Sequence, residues 1–108
     1  MSGGDQWWLA TLGRYIAWAR LRVREAGTAE VLDSDGNTLA YDSEDTARSA
    51  LLDAEYVEYD GLDAEDALAR GFRLEDVAPP RDDDDEALRR RMFTGLDGRP
   101  PAPREDRD

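Results

Sequence analysis

Residues 15–25 read Y-I-A-W-A-R-L-R-V-R-E, and from Ala19 onward a small or apolar residue alternates with an arginine at every step. A repeat of two is the period of a β-strand, whose successive side chains point to opposite faces. It sets Tyr15, Ala17, Ala19, Leu21 and Val23 inward and Trp18, Arg20, Arg22 and Arg24 on the opposite face. A helical reading also exists, because Trp8, Leu12, Tyr15, Ala19 and Val23 fall near one helical face. That reading puts Leu21 among the arginines and leaves Gly13 inside the helix, where glycine costs about 1 kcal/mol relative to alanine. The strand is preferred, and burial along it should alternate.

Ala26-Gly27 interrupts the pattern, and residues 28–32 form a second short β run, so a hairpin is expected. A two-residue turn sets Val23 opposite Glu30. A three-residue turn sets Val23 opposite Val31 and Arg24 opposite Glu30, which matches apolar with apolar and charge with countercharge, and it is preferred. Asp33-Ser34-Asp35-Gly36-Asn37 is a dense turn signal, and residues 38–41 make the next strand of a meander. Residues 7–12 add a fourth strand on the N-terminal side, turned by Gly13-Arg14.

At Ser43 the period changes. Ser43 caps a helix with Glu44 and Asp45 in its first turn and an apolar stripe of Ala47, Ala50, Leu51 and Ala54, expected to run to near Glu58. A second, shorter helix follows from Asp63 as cap through Ala64, Ala67 and Leu68 to a stop at Gly71. Phe72, Leu74 and Val77 then return to the core before Pro79-Pro80. The expected fold is α+β: a small antiparallel meander of three or four strands, packed by one main helix and a second short one. The compact acidic domain covers residues 1–80, and residues 81–108 form a charged tail rich in Pro, Arg and Asp. Within that tail, acids at the front, arginines behind and the spacings of Asp85 with Arg89 and Glu86 with Arg90 favour a short helix over residues 83–94. The residues after it, Pro-rich and almost without apolar anchors, are expected to be disordered.

The chain of 108 residues carries 26 acids against 14 arginines, a formal charge of -12, and has no Lys, His or Cys. The acidity is concentrated: the fifteen acids of residues 28–80 face three arginines, whereas in residues 1–27 four arginines outweigh two acids. Such a field repels nucleic-acid phosphates and anionic bilayers and favours a basic or neutral protein partner. Exclusive use of arginine is read as the mark of a GC-rich, bacterial genome. Without His, Cys or Lys the common nucleophile and base pairings are missing, and only carboxylates and Tyr remain to move protons. No segment has the basic and apolar regions of a leader or the length of a membrane span, which places the chain in the cytoplasm with no membrane contact.

Several motifs carry a functional reading beside a bland one. Residues 33–44 resemble an EF-hand calcium loop, with Asp33, Asp35, Asn37 and Glu44 at ligand positions. Thr38 stands where the bend needs Gly, and the flank is β-like, so the stretch is read as a turn and no metal site is assigned. The pairs Asp63 with Asp66 and Glu55 with Glu58 have helical spacing, but acids this dense fall together by chance, and no catalytic residue is assigned. Asp82 to Asp85 and Arg89 to Arg91 are charge runs of the kind usually solvated in linkers. Trp18, Arg20, Arg22 and Arg24 on one strand face could grip phosphates and bases. In outline, the sheet followed by a helix over residues 15–54, with the Asp-Ser-Glu helix entry at Asp42, resembles the plant AP2-type DNA-binding domain, which would imply nucleic-acid binding. It lacks that family's Trp and Gly pattern. Trp7-Trp8 is the more specific signal, because neighbours on a strand face opposite ways and one of the two needs a cover outside the core.

The leading functional expectation is a non-enzymatic protein-binding or regulatory module without a cofactor. It would act through Trp7, Trp8 and Trp18 or through its acidic middle, with Arg20 and Arg22 as further candidate binding residues. The alternative is a nucleic-acid-binding domain using the Arg-rich strand face, and the third is a small acid-catalysed hydrolase.

Overall fold

The alternating stretch is strand β2, Tyr15–Val23, the spine of an antiparallel sheet. The structure, a computed structural model, describes residues 5–80, 84–89 and 91–97. Strand β1, Asp5–Leu12, pairs with residues 15–22 of β2 through a two-residue turn in which Gly13 takes φ 60°. Both common forms of a two-residue hairpin need positive φ at the first central position, which glycine supplies without strain. Strand β3, Ala29–Leu32, pairs with the C-terminal half of β2, and β4, Thr38–Tyr41, pairs with β3 at the sheet edge. Helix α1, Glu44–Asp53, follows, then the short strand β5, Val57–Glu58, on the far side of β1. A 3-10 turn at Tyr59–Gly61, helix α2 at Ala64–Ala69 and a second 3-10 turn at Leu74–Asp76 lead to helix α3, Asp85–Arg89, and strand β6, Phe93–Gly95. The order across the sheet is β4-β3-β2-β1-β5. Strand β6 joins the N-terminal half of β2, on the edge it shares with β3, and Trp18 N–H donates to Met92 O at 2.8 Å just before that pairing begins.

The α+β class and the meander are as expected, with two strands more than the sequence suggested. The β2–β3 hairpin does have a three-residue turn, but at residues 25–27 rather than one residue later. Arg24 N–H donates to Thr28 O at 2.7 Å, and Gly27, at φ 91°, takes the left-handed position that ends the turn. Placing glycine there decides the register: Val31 lies opposite Leu21 instead of Val23, Ala29 opposite Val23, and Glu30 opposite Arg22. Because the slip is an even one, every side chain keeps its face.

Burial along β2 does not alternate, since residues 16–21 are all buried. The reason is that the sheet is covered on both faces. On one, Trp8, Ala19, Leu21, Ala29 and Val31 pack with Ala47 and Leu51 of α1. On the other, Leu9, Ile16, Trp18 and Leu32 pack with Ala67, Phe72, Val77, Leu88 and Met92. Phe72 and Val77 return to the core as the sequence indicated. Leu88 and Met92, which follow Pro80, share that core with residues that precede it. The helix expected over 83–94 is shorter, and Phe93–Gly95 is strand, because the open half of β2 offers Phe93 and Thr94 backbone partners that a single helical turn cannot. The segment from Pro100, expected to be disordered, lies outside the described residues.

Helix α1 begins where expected, the Ser43 hydroxyl accepting from Thr46 N–H at 3.1 Å, but it stops at Asp53, and residues 57–58 leave it for β1. Its end is a Schellman motif: Tyr56 N–H donates to Leu51 O and Glu55 N–H to Leu52 O, both at 2.9 Å, with Glu55 at φ 71°. Helix α2 ends the same way, Phe72 N–H on Ala67 O and Gly71 N–H on Leu68 O, with Gly71 at φ 98°. Of the stripe expected on α2, Ala67 is buried, while Ala64 and Leu68 face outward.

Candidate functional site

The three tryptophans do not form a surface. Opposite pointing on β1 sends Trp8 under α1 and Trp7 to the other face, and because both faces are covered Trp8 is enclosed and Trp7 packs part-buried against the second core. Trp8 and Trp18 are 1% and 0% exposed and Trp7 is half-buried. Trp18 forms the centre of an aromatic group: the Trp7 ring meets it edge-on at 6.1 Å and the Tyr59 ring lies at 5.6 Å. Its indole N–H donates to Thr94 Oγ1 at 3.0 Å, so β6 closes over it. The requirement that one of Trp7 and Trp8 lack cover holds only for a sheet packed on one side.

The arginines of β2 are also occupied. Arg20 is 7% exposed, under the second face. Arg22 makes two hydrogen bonds to the Asp5 carboxylate, at 2.9 and 3.2 Å. Arg24 reaches Glu30 at 3.0 Å, diagonally rather than from directly opposite. The residue that organises the α1 face is one that no sequence motif marks. Arg48 lies 5.0 Å from the Trp8 ring centre, donates to Gln6 Oε1 and pairs with Glu58, the last two at 3.1 Å. Gln6 in turn donates to Glu44 at 2.6 Å. The only hint in the sequence was a single arginine in an otherwise acidic helix.

Four of the carboxylates flagged as pairs or ligands, Asp33, Glu44, Asp63 and Glu58, have structural work. Asp33 Oδ1 accepts from the N–H groups of Asp35 and Asn37, both at 3.0 Å, which ties the β3–β4 turn, and Glu44 is held by Gln6. Asp63 caps α2 through Asp66 N–H at 2.9 Å, and Glu58 pairs with Arg48. Among the described residues, no group of three or more acids is arranged to hold a metal ion.

What remains open to a partner is the acidic surface. Eleven of the fifteen acids of residues 28–80 are exposed, spread over both helices, the turns and the loops that join them. Two shallow clefts flank the C-terminal end of α1. One, of about 350 Å³, is lined by Leu12, Leu52, Tyr56 and Val57 together with Glu55 and Arg70. The other, of about 140 Å³, lies between α1 and the β4 edge. No protein family, curated protein or solved structure matches this chain. Among the described residues, no helix is long and apolar enough to cross a membrane.

Proposed function

We propose that the chain is a non-enzymatic binding or regulatory module, cytoplasmic and of bacterial type, that engages another protein of basic or neutral charge through the acidic surface of residues 28–80. The observation that carries this reading is the exposure of eleven of the fifteen acids in that segment, against three arginines of which Arg48 is already committed to Glu58 and Trp8. A field of this sign raises the encounter rate with basic proteins and opposes approach to nucleic acid. Burial of Trp8 and Trp18 moves the expected contact away from the aromatic residues and onto the acids. The nucleic-acid alternative loses its instrument as well, since Arg20 lies under the core and Arg22 and Arg24 hold Asp5 and Glu30. Capture from a native lysate on the immobilised chain should yield basic or neutral proteins that salt releases, with no retention of the chain on heparin or duplex DNA at physiological salt. Duplex DNA binding at micromolar strength or better, lost in Arg20→Ala with Arg22→Ala, would overturn it in favour of the nucleic-acid alternative.

A further inference from the structure

Among the described residues, strand β4 ends the sheet and no strand pairs with its outer edge. The N–H of Asp33 donates to Asn37 O at 3.0 Å where the β3–β4 hairpin closes. Antiparallel pairing alternates from there, so the backbone groups of Leu39 and Tyr41 turn toward β3 and those of Thr38 and Ala40 point outward. Edge strands are normally protected by charge, proline or a bulge. This one reads T-L-A-Y, with neither charge nor proline, and is exposed over residues 38–40, Leu39 at 47%. On the α1 side of the edge lies the cleft of about 140 Å³, lined by Leu39, Tyr41, Ala50, Ala54 and Tyr56 together with Asp33 and Asp35 of the β3–β4 turn. Exposed acids stand at both ends of the strand, Asp35 before it and Asp42 and Asp45 after it.

We propose that β4 takes an extended segment of the partner protein as an added strand, with apolar side chains on the cleft side alternating with basic ones on the other. Main-chain hydrogen bonds to Thr38 and Ala40 supply the docking, the cleft selects the apolar positions, and the acids select the charge. A second copy of this chain is the poorer occupant. Antiparallel pairing of residues 38–41 with their own copy brings Asp42 of each molecule to the Asp35 turn of the other, acid against acid. The inference rests on the acidic-surface reading and names the edge through which it works.

The probe is a synthetic eight-residue peptide of alternating valine and arginine, titrated calorimetrically against the full chain. Wild type should bind it, and Ala40→Pro, which removes an outward N–H without touching a β3 bond or the net charge, should weaken binding by about tenfold or more. Two further peptides, N-methylated along one edge or the other, keep the test open should Ala40→Pro disturb the fold. Only methylation of the edge that meets β4 should abolish binding. Equal binding by all three peptides and by Ala40→Pro, disappearing at about 0.5 M salt, overturns the edge while leaving the acidic-surface reading standing. Absence of peptide binding overturns the edge too, and the lysate capture then judges the broader reading by itself. Self-association of wild type that Ala40→Pro abolishes would overturn it in favour of a second copy.

Discussion

Two residues in equivalent places show how far local sequence could be read. Gly71 and Glu55 both sit in left-handed conformation two positions past the last residue of a helix, each with the same pair of closing hydrogen bonds. Gly71 was visible as a stop because glycine adopts that conformation freely. Nothing in D-A-E-Y marks a stop at Glu55, so the sequence predicts a helix to near Glu58 over a segment that instead pairs with β1. What stops the helix is tertiary: Tyr56 packs against the cluster containing Leu51, and Val57 joins the opposite core. A side chain at that φ is strained by about 1 kcal/mol. Glu55→Gly should thus stabilise the fold by about 0.5 to 1 kcal/mol, raising the thermal midpoint by a few degrees. Gly71→Ala should lower stability by about 1 kcal/mol, although the space exists, a Cβ there meeting only Leu96 Cδ1 at 3.6 Å. Thermal melts of both variants check the pair, and a Glu55→Gly variant less stable than wild type would mean that the Glu55 side chain contributes contacts outweighing its strain.

At the level of elements, the period of two identified β2 and its facing correctly but said nothing of what covers each face. Ala17, Ala19 and Leu21 read as the inner side, and Trp18 and the arginines as the outer. The outer side is nevertheless buried as well, because α2, the two 3-10 turns and the segment after residue 84 return across it. Burial of this second kind cannot be seen in β2 itself, since it depends on elements far along the chain. It explains why Trp18 is internal and Trp7 half-covered while the acidic middle remains outside. Substitutions separate the two sides: Leu21→Ala, fully buried, should cost about 2 to 5 kcal/mol, whereas Arg22→Ala, which removes a half-exposed ion pair, should cost no more than about 1 kcal/mol. Thr94→Val tests β6. It keeps the volume but removes the acceptor of the Trp18 indole N–H, and leaving that buried donor without Thr94 should cost about 1 to 3 kcal/mol in chemical denaturation. A cost under a few tenths would mean that the N–H finds another acceptor and that β6 is held by its backbone alone.

For the whole molecule, the composition was a sound guide to class and charge and a poor one to where the fold stops. Pro79-Pro80 and the acidic run after them look like a domain end, and the apolar residues beyond, Leu88, Met92 and Phe93, looked too few for a helix of their own. They are few because they do not stand alone: Leu88 and Met92 are 2% and 0% exposed and complete a core that Leu9, Ile16 and Trp18 begin. Two truncations therefore have opposite expected outcomes. A chain ending at Asp97 keeps every described element, and the residues it drops have the Pro-rich, charged composition that contributes little to a core, so its thermal midpoint should equal that of the full chain. A chain ending at Pro80 loses two buried side chains, each worth about 2 to 5 kcal/mol by the usual cost of truncating Leu or Met, and with them the β6 pairing and the acceptor of Trp18. Set against the total stability of about 5 to 15 kcal/mol typical of small domains, that loss should remove the cooperative transition at 37 °C, with tryptophan emission shifted toward that of exposed indole. A chain ending at Pro80 that melts cooperatively near the full-length midpoint would show that the sheet and α1 stand without the second core, and that the segment after residue 84 is an accessory to the fold.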